Sequence, residues 1–322
     1  MLGNDTNSTS GSATQIVVVT GPTAVGKTEL SLRLAEHLNA EIINGDAMQC
    51  YQGLEIGTAK PTLVEREVVP HHLFDLWQVT EKATVAEYQR HGRDVANAIW
   101  SRGRTVVVVG GSPLYLRALC DELDIPPQDL TLRAELAARA EQEGGAVLHQ
   151  ELSALDPEAG AAIDPRNVRR VVRALEVVRL TGSFTARLPE PKPWRPTVWL
   201  GIDLPRSELD DRISMRAQSM WDNGLLQETE KLMERGLADG ETARKAVGYE
   251  QAMAVLSGDM SRDQGIAETI TATRRLARRQ QRTLRRDDRI TWLPAENQLE
   301  PAIDFVKNFN STFGRTQSPA AD

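Results

Sequence analysis

Between an apolar run at 15–20 and a helical pattern carrying Leu30, Leu34 and Leu38 lies Gly21-Pro22-Thr23-Ala24-Val25-Gly26-Lys27-Thr28. These residues match G-x-x-x-x-G-K-[ST], in the strand-to-helix context that gives the motif its meaning. Such a loop turns its backbone N–H groups inward and sets them against a helix N-terminus, so it binds anionic oxygens. Lys27 is then placed to neutralise a terminal phosphate, and the Thr28 hydroxyl to hold Mg²⁺. The alternative is an ordinary glycine-containing turn, which would not require strand, spacing and helix to agree. The expected ligand is a polyphosphate or a diphosphate.

A loop of this kind needs a parallel sheet, and the rest of the chain supplies one. Short β-branched runs at 15–20, 41–44, 105–109, 197–202 and 289–293 are separated by helical patterns. Short, almost wholly apolar strands of that type are buried on both faces. The expected fold is therefore α/β, a P-loop NTPase-like parallel sheet flanked by helices. Residues 121–193 break the rhythm: helices are expected over 133–143, then after Gly144-Gly145 through Leu155, and after Asp164-Pro165 to about Leu180. This reads as a helical insertion domain in a core made of 15–120 and 194–309. Residues 1–14 and 310–322 lack an apolar period and read as flexible tails.

Composition excludes several classes. The 38 Lys+Arg against 45 Asp+Glu give a net charge of −7, so the protein is not uniformly cationic. No run reaches the roughly 18 apolar residues of a membrane span. The first residues have neither the basic nor the apolar region of a secretory leader. Two cysteines, Cys50 and Cys120, form neither a disulfide framework nor a zinc pattern. A cytoplasmic protein is expected.

Hydrolytic P-loop proteins usually carry an acid at the end of a second buried strand. Here the strand at 105–109 runs into Gly110-Gly111-Ser112-Pro113, with no carboxylate. The acid available is Asp46, directly after the second strand, where it faces the phosphate crevice. It could serve as a general base beside the diphosphate; the alternative is a turn or capping aspartate.

The surroundings of Asp46 carry a family resemblance. The stretch 44–61 (Asn44, Asp46, Met48, Gln49, Tyr51, Gly57, Thr58, Lys60), then 69–75 with His71-His72, 110–119, 167–176, 246–251 and 273–281 together resemble the tRNA dimethylallyltransferases, over roughly 16–293 in unbroken order. The resemblance implies transfer of the dimethylallyl group of dimethylallyl diphosphate to N6 of adenosine 37, 3′ of the anticodon, in tRNAs reading codons that begin with U. The P-loop would then hold the diphosphate with Mg²⁺ and would not hydrolyse ATP. Asp46 would take the N6 proton, and Ser112, where the family usually has Thr, would keep a bridging hydroxyl. Arg133 and Arg216 stand where the family places arginines near diphosphate and acceptor, although on sequence alone each also reads as a solvated helix charge. Ala47, Met48 and Gln49 would contact the tRNA base, and Ala47 lacks a hydroxyl that relatives often have. Lys245, Gly248 and Tyr249 fall in a further tRNA-contacting motif; Tyr249 could stack on a base or be buried. The His pair reads as packing and hydrogen bonding.

The basic residues are concentrated. Positions 274–289 hold eight arginines and two aspartates. On one helix, all eight would lie within an arc of about 140°. Such a nearly pure arginine face in an acidic protein suits RNA phosphate. Arg274, Arg275, Arg278, Arg279 and Gln280 are thus expected to contact tRNA, with Arg169, Arg170 and Arg173 of the insertion. The partners expected are the tRNA anticodon stem-loop and dimethylallyl diphosphate, with the protein a monomer. Rival readings are a small-molecule kinase, which has no use for the arginine face, an adenylate isopentenyltransferase, which needs no tRNA-sized surface, and a non-catalytic RNA-binding protein, which would not need intact Lys27, Thr28 and Asp46.

Overall fold

The computed structural model describes residues 15–186, 188–294 and 296–316. Six strands form one sheet: β1 (Ile16–Thr20), β2 (Ala40–Asn44), β3 (His71–His72), β4 (Thr105–Gly110), β5 (Thr197–Gly201) and β6 (Ile290–Trp292). Their order is β3-β2-β4-β1-β5-β6, and every pairing is parallel. All five residues of β1 and of β2 are buried. On one face, Val17, Val19, Ala40 and Ile42 enter a core shared with Leu30, Leu34, Val198 and Leu200, while Ile16, Val18 and Ile43 are buried outside that cluster. That two-sided burial is why β-branched residues fill consecutive positions instead of alternating.

The chain divides into two compact units, one of 1–121 with 193–322 and the other of 122–192. In the first, α1 (Lys27–His37), α2 (Leu63–Val68), α3 (Val85–Ser101) and α4 (Pro113–Cys120) follow the first four strands, and α13 (Leu299–Thr316) closes the chain. The second consists of α5 (Leu130–Glu143), α6 (Gly145–Leu155), α7 (Pro157–Ala162) and α8 (Val168–Thr181) around a core of its own, centred on Leu136, Leu148, Leu152, Val171 and Leu175. Between β5 and β6 the first unit adds α9 (Arg206–Asp222), α10 (Leu225–Glu234), α11 (Tyr249–Leu256) and α12 (Arg262–Leu284). Among the described residues, no helix is long and apolar enough to cross a membrane.

Three expectations need correction. Residues 310–316 were expected to be a flexible tail but continue α13, because its apolar repeat (Ala302, Ile303, Val306) is anchored in the core; the tail at 1–14 and residues 317–322 lie outside the described residues. The edge strand β3 has only two residues, too short for a periodic signal. The arginine-rich helix does not reach 289: α12 ends at Leu284, and the chain turns before entering β6.

Candidate active site

Parallel register brings the carboxyl ends of β1, β2 and β4 to one edge. Thr20 pairs with Gly110, Asn44 with Val109, and the Gly45 N–H donates to the Val109 carbonyl at 2.7 Å. This approach requires glycine: a Cβ on Gly110 would stand 2.3 Å from the Gly45 oxygen. The P-loop leaves β1 here, and Asp46 leaves β2 beside it. Gly26 is left-handed (φ 102°), and so is Ala24 (φ 68°), a conformation that costs a residue with a Cβ about 1 kcal/mol or more. No side chain caps α1, so its first N–H groups remain available to an anion.

A cavity of about 270 Å³ opens over this loop, lined by Gly26, Lys27, Thr28, Asn44, Asp46 and Arg216 among others. Lys27 Nζ donates to the Gly21 and Pro22 carbonyls at 3.1 and 2.8 Å. Burial brings its pKa down to about 8 against the pull of Asp46, with Arg216 lowering it further. Arg216 donates to the Thr23 hydroxyl, and burial lowers it to about 10, opposed by Asp46. Two half-buried cations and one carboxylate thus share a cavity with net positive charge, which an anionic ligand would complete. Arg216 is therefore not the solvated helix charge that its sequence also allowed.

Asp46 is held by its own turn. Its N–H donates to Asn44 Oδ1, and its Oδ1 accepts from the Met48 N–H, each at 2.9 Å. Gln49 Nε2 donates to the Thr58 and Ala59 carbonyls at 3.0 and 3.3 Å, so the 46–49 turn and the 56–59 loop form one wall. A second cavity of about 80 Å³ adjoins the first, sharing Thr23, Asp46, Thr58 and Arg216; Met48, Met220, Val247 and Leu276 give it an apolar side. The cavity over the P-loop and a small, partly apolar one therefore meet at a carboxylate. Ala47 is half-buried in the same turn. Ser112 caps no N–H of α4, and the bridge from its hydroxyl to Asp46 is not formed.

Other expected site residues are employed differently. Tyr249 is fully buried; its hydroxyl donates to Glu228 Oε1 at 2.5 Å and accepts from the Gly57 N–H at 3.1 Å. It cannot stack on a base. Its ring fills the space that a Cβ on Gly57 would need, and Glu228 also accepts from the Ile56 N–H. Gly248 is buried beside it and donates to Gln251. Gln280 is buried as well, and its Oε1 accepts from the Thr23 N–H at 2.9 Å. It faces the P-loop and not solvent. Lys245 is exposed.

The arginine face is divided. Arg274 donates to the Ser214 hydroxyl, Arg274 and Arg278 lie by Asp210, and Arg285 binds Asp203. Arg289 folds back onto Asp121 and Asp287. Arg275, Arg279, Arg282 and Arg286 are exposed and have no acidic partner among the described residues. In the second unit, Arg133 grips the buried Glu176 with two hydrogen bonds, at 2.8 and 3.2 Å. Arg173 donates to the Pro126 and Pro127 carbonyls and Arg170 to Ala186, while Arg169 is exposed. Arg133 and Arg173 thus brace their own unit. His71 Nδ1 meets the Val69 carbonyl and His72 Nε2 meets Glu41, each at 2.6 Å, which is the structural role expected of the pair. His71 also lines the larger cavity, which nothing in its sequence context signalled.

Several known proteins resemble this chain over most of its length. The IPP transferase family model matches residues 49–287. A tRNA dimethylallyltransferase of Salinispora tropica is 52% identical over 279 residues, covering 86% of this chain and 88% of the relative. One of Thermobifida fusca is 52% identical over 285 residues, covering 87% and 89%. Among solved structures, a full-length tRNA isopentenylpyrophosphate transferase of Bacillus halodurans superimposes with a TM-score of 0.71 at 36% identity, covering 94% of this chain and 99% of that one. A eukaryotic dimethylallyltransferase acting on tRNA superimposes with a TM-score of 0.79 at 26% identity, covering 92% and 80%.

Proposed function

The chain belongs to the IPP transferase family, and from that premise we propose that it is a tRNA dimethylallyltransferase whose donor is dimethylallyl diphosphate. The observation that carries the site assignment is the position of Asp46 and Arg216 in the walls of both cavities. The diphosphate is read into the larger cavity, against Lys27, Arg216 and the loop N–H groups. The reacting carbon then lies toward the smaller one. The acceptor is N6 of adenosine 37 in tRNAs reading codons that begin with U, a base that must leave the loop stack to reach an enclosed carboxylate.

In the reaction, the N6 lone pair forms the N–C bond as the C–O bond to diphosphate breaks. The bonding pair leaves on the diphosphate oxygen, and the N6 proton passes to Asp46. Lys27 and Arg216 stabilise the charge that develops on the leaving group. Both are already desolvated, so their fields act at low effective dielectric. Thr28 offers a hard oxygen donor in the same cavity, while no group of three or more His, Cys, Asp or Glu converges as a metal site among the described residues. That donor fits Mg²⁺, which keeps most of its shell in water and phosphate oxygens. When bound there, Mg²⁺ supplies further positive charge to the diphosphate.

RNA contact is assigned to Arg275 and Arg279 on α12, to Lys245, and in the other unit to Arg169. The reading places the protein with its tRNA in the cytoplasm, and a monomer suffices because both cavities close within one chain. The test is label transfer from radiolabelled dimethylallyl diphosphate to unmodified tRNA with adenosine 37, beside free AMP with the same donor. Label in tRNA alone supports the proposal. Label in AMP alone replaces it with an adenylate isopentenyltransferase.

A further inference from the structure

Gln280 stands out because its chemistry is spent inward. It sits on α12 one residue after the exposed Arg279, yet only 6% of its surface is accessible. Its Oε1 accepts from the Thr23 N–H at 2.9 Å, across 257 positions of sequence. Its Nε2 occupies space left by a missing side chain: a Cβ on Gly111 would come within 2.7 Å of it, and within 3.0 Å of the Gly21 oxygen of the P-loop. Arg216 holds the hydroxyl of the same Thr23. Thr23 is therefore fastened twice, by its backbone to α12 and by its side chain to α9.

The fastening comes where the loop needs it. The next residue, Ala24, is left-handed without being glycine (φ 68°). A residue with a Cβ keeps that conformation only where its surroundings impose it. The Thr23–Ala24 turn leads into the Gly26–Lys27–Thr28 segment that faces the cavity, so its shape sets where the anion-binding N–H groups point.

We infer that Gln280 is a positioning residue for diphosphate binding, acting through the Thr23 N–H to hold the P-loop in its anion-binding shape, and is not an RNA contact. The inference rests on the reading of the larger cavity as the diphosphate site. α12 is then one rigid helix with two tasks, its exposed arginines outward and its Gln280 amide inward.

The experiment measures binding, not turnover: inorganic diphosphate with Mg²⁺ by calorimetry, and an anticodon stem-loop RNA by fluorescence anisotropy. Gln280→Met keeps the length and removes the acceptor. It leaves the Thr23 N–H without a partner, a loss that corresponds to a weakening of diphosphate binding of about tenfold. Stem-loop affinity should stay within about twofold. Gly111→Ala, whose Cβ would press on the Gln280 amide and also on the Gly21 oxygen of the P-loop, should weaken diphosphate at least as much. Unchanged diphosphate affinity in Gln280→Met overturns the inference. So does a loss of stem-loop affinity alone, which would make Gln280 an RNA contact, or an equal loss of both, which would make it a packing residue. Failure of the wild-type protein to bind diphosphate would instead overturn the reading of the cavity.

Discussion

Replacing Lys27 with methionine should abolish diphosphate binding and yet make the free protein more stable. Burial brings the Lys27 pKa from 10.5 down to about 8. At about 1.4 kcal/mol per pH unit, holding the ammonium charged at pH 7 costs the free protein about 3 kcal/mol. Its hydrogen bonds to the Gly21 and Pro22 carbonyls offset part of this, at about 1 kcal/mol each. The net gain from Lys27→Met is then about 1–2 kcal/mol at pH 7. The sign also fixes a pH dependence. The unfolded chain holds the Lys27 proton up to its ordinary pKa, the folded one only to about 8. Wild-type stability therefore rises as pH passes from about 8 toward 10.5, and the advantage of the variant shrinks over the same window. Urea unfolding of both proteins at pH 7, 8.5 and 10 measures it, and other titrating groups cancel in the difference. A variant less stable than wild type at pH 7, or a difference that does not change with pH, would refute the reasoning. The protein would be giving up stability to keep a desolvated cation ready for an anion.

Four further outcomes follow from the same geometry. Asp46→Asn should lower turnover in the label-transfer assay about 10²-fold or more while leaving diphosphate and stem-loop affinities nearly unchanged, the signature of a lost general base. Arg279→Glu should weaken stem-loop binding and flatten its dependence on salt. Arg289→Met, from the same arginine-rich stretch, should leave the salt slope alone and destabilise the fold by about 2 kcal/mol, because buried Asp121 loses one of its two arginine partners and keeps Arg117; urea unfolding beside anisotropy separates the two. Tyr249→Phe should cost about 1–2 kcal/mol of stability by removing the hydroxyl between Glu228 and the Gly57 N–H, and should lower kcat more than it raises the KM for tRNA, since a buried ring supports the cavity wall without meeting the RNA.

Much of this protein is legible before any coordinates. The G-x-x-x-x-G-K-T loop, the buried β-branched runs and the strand-free stretch at 121–193 determine a P-loop sheet with a helical insertion, because each is a local pattern with one economical structural solution. Asp46 is legible for the same reason: it directly follows a buried strand of a parallel sheet, so it faces the crevice. What the sequence cannot resolve is the partner of a long side chain. Eight arginines in 274–289 look alike on a helical wheel, yet Arg289 reaches Asp121, and Asp210 takes Arg274 and Arg278. Tyr249 and Gln280 sit in motifs that resemble RNA contacts, yet both face inward to fasten loops around the cavities. The local pattern determines which backbone elements form and which edge of the sheet carries the chemistry. Only the tertiary fold decides which charges are spent on other residues and which remain for a ligand, because a side chain's partner lies tens or hundreds of positions away and is chosen by packing.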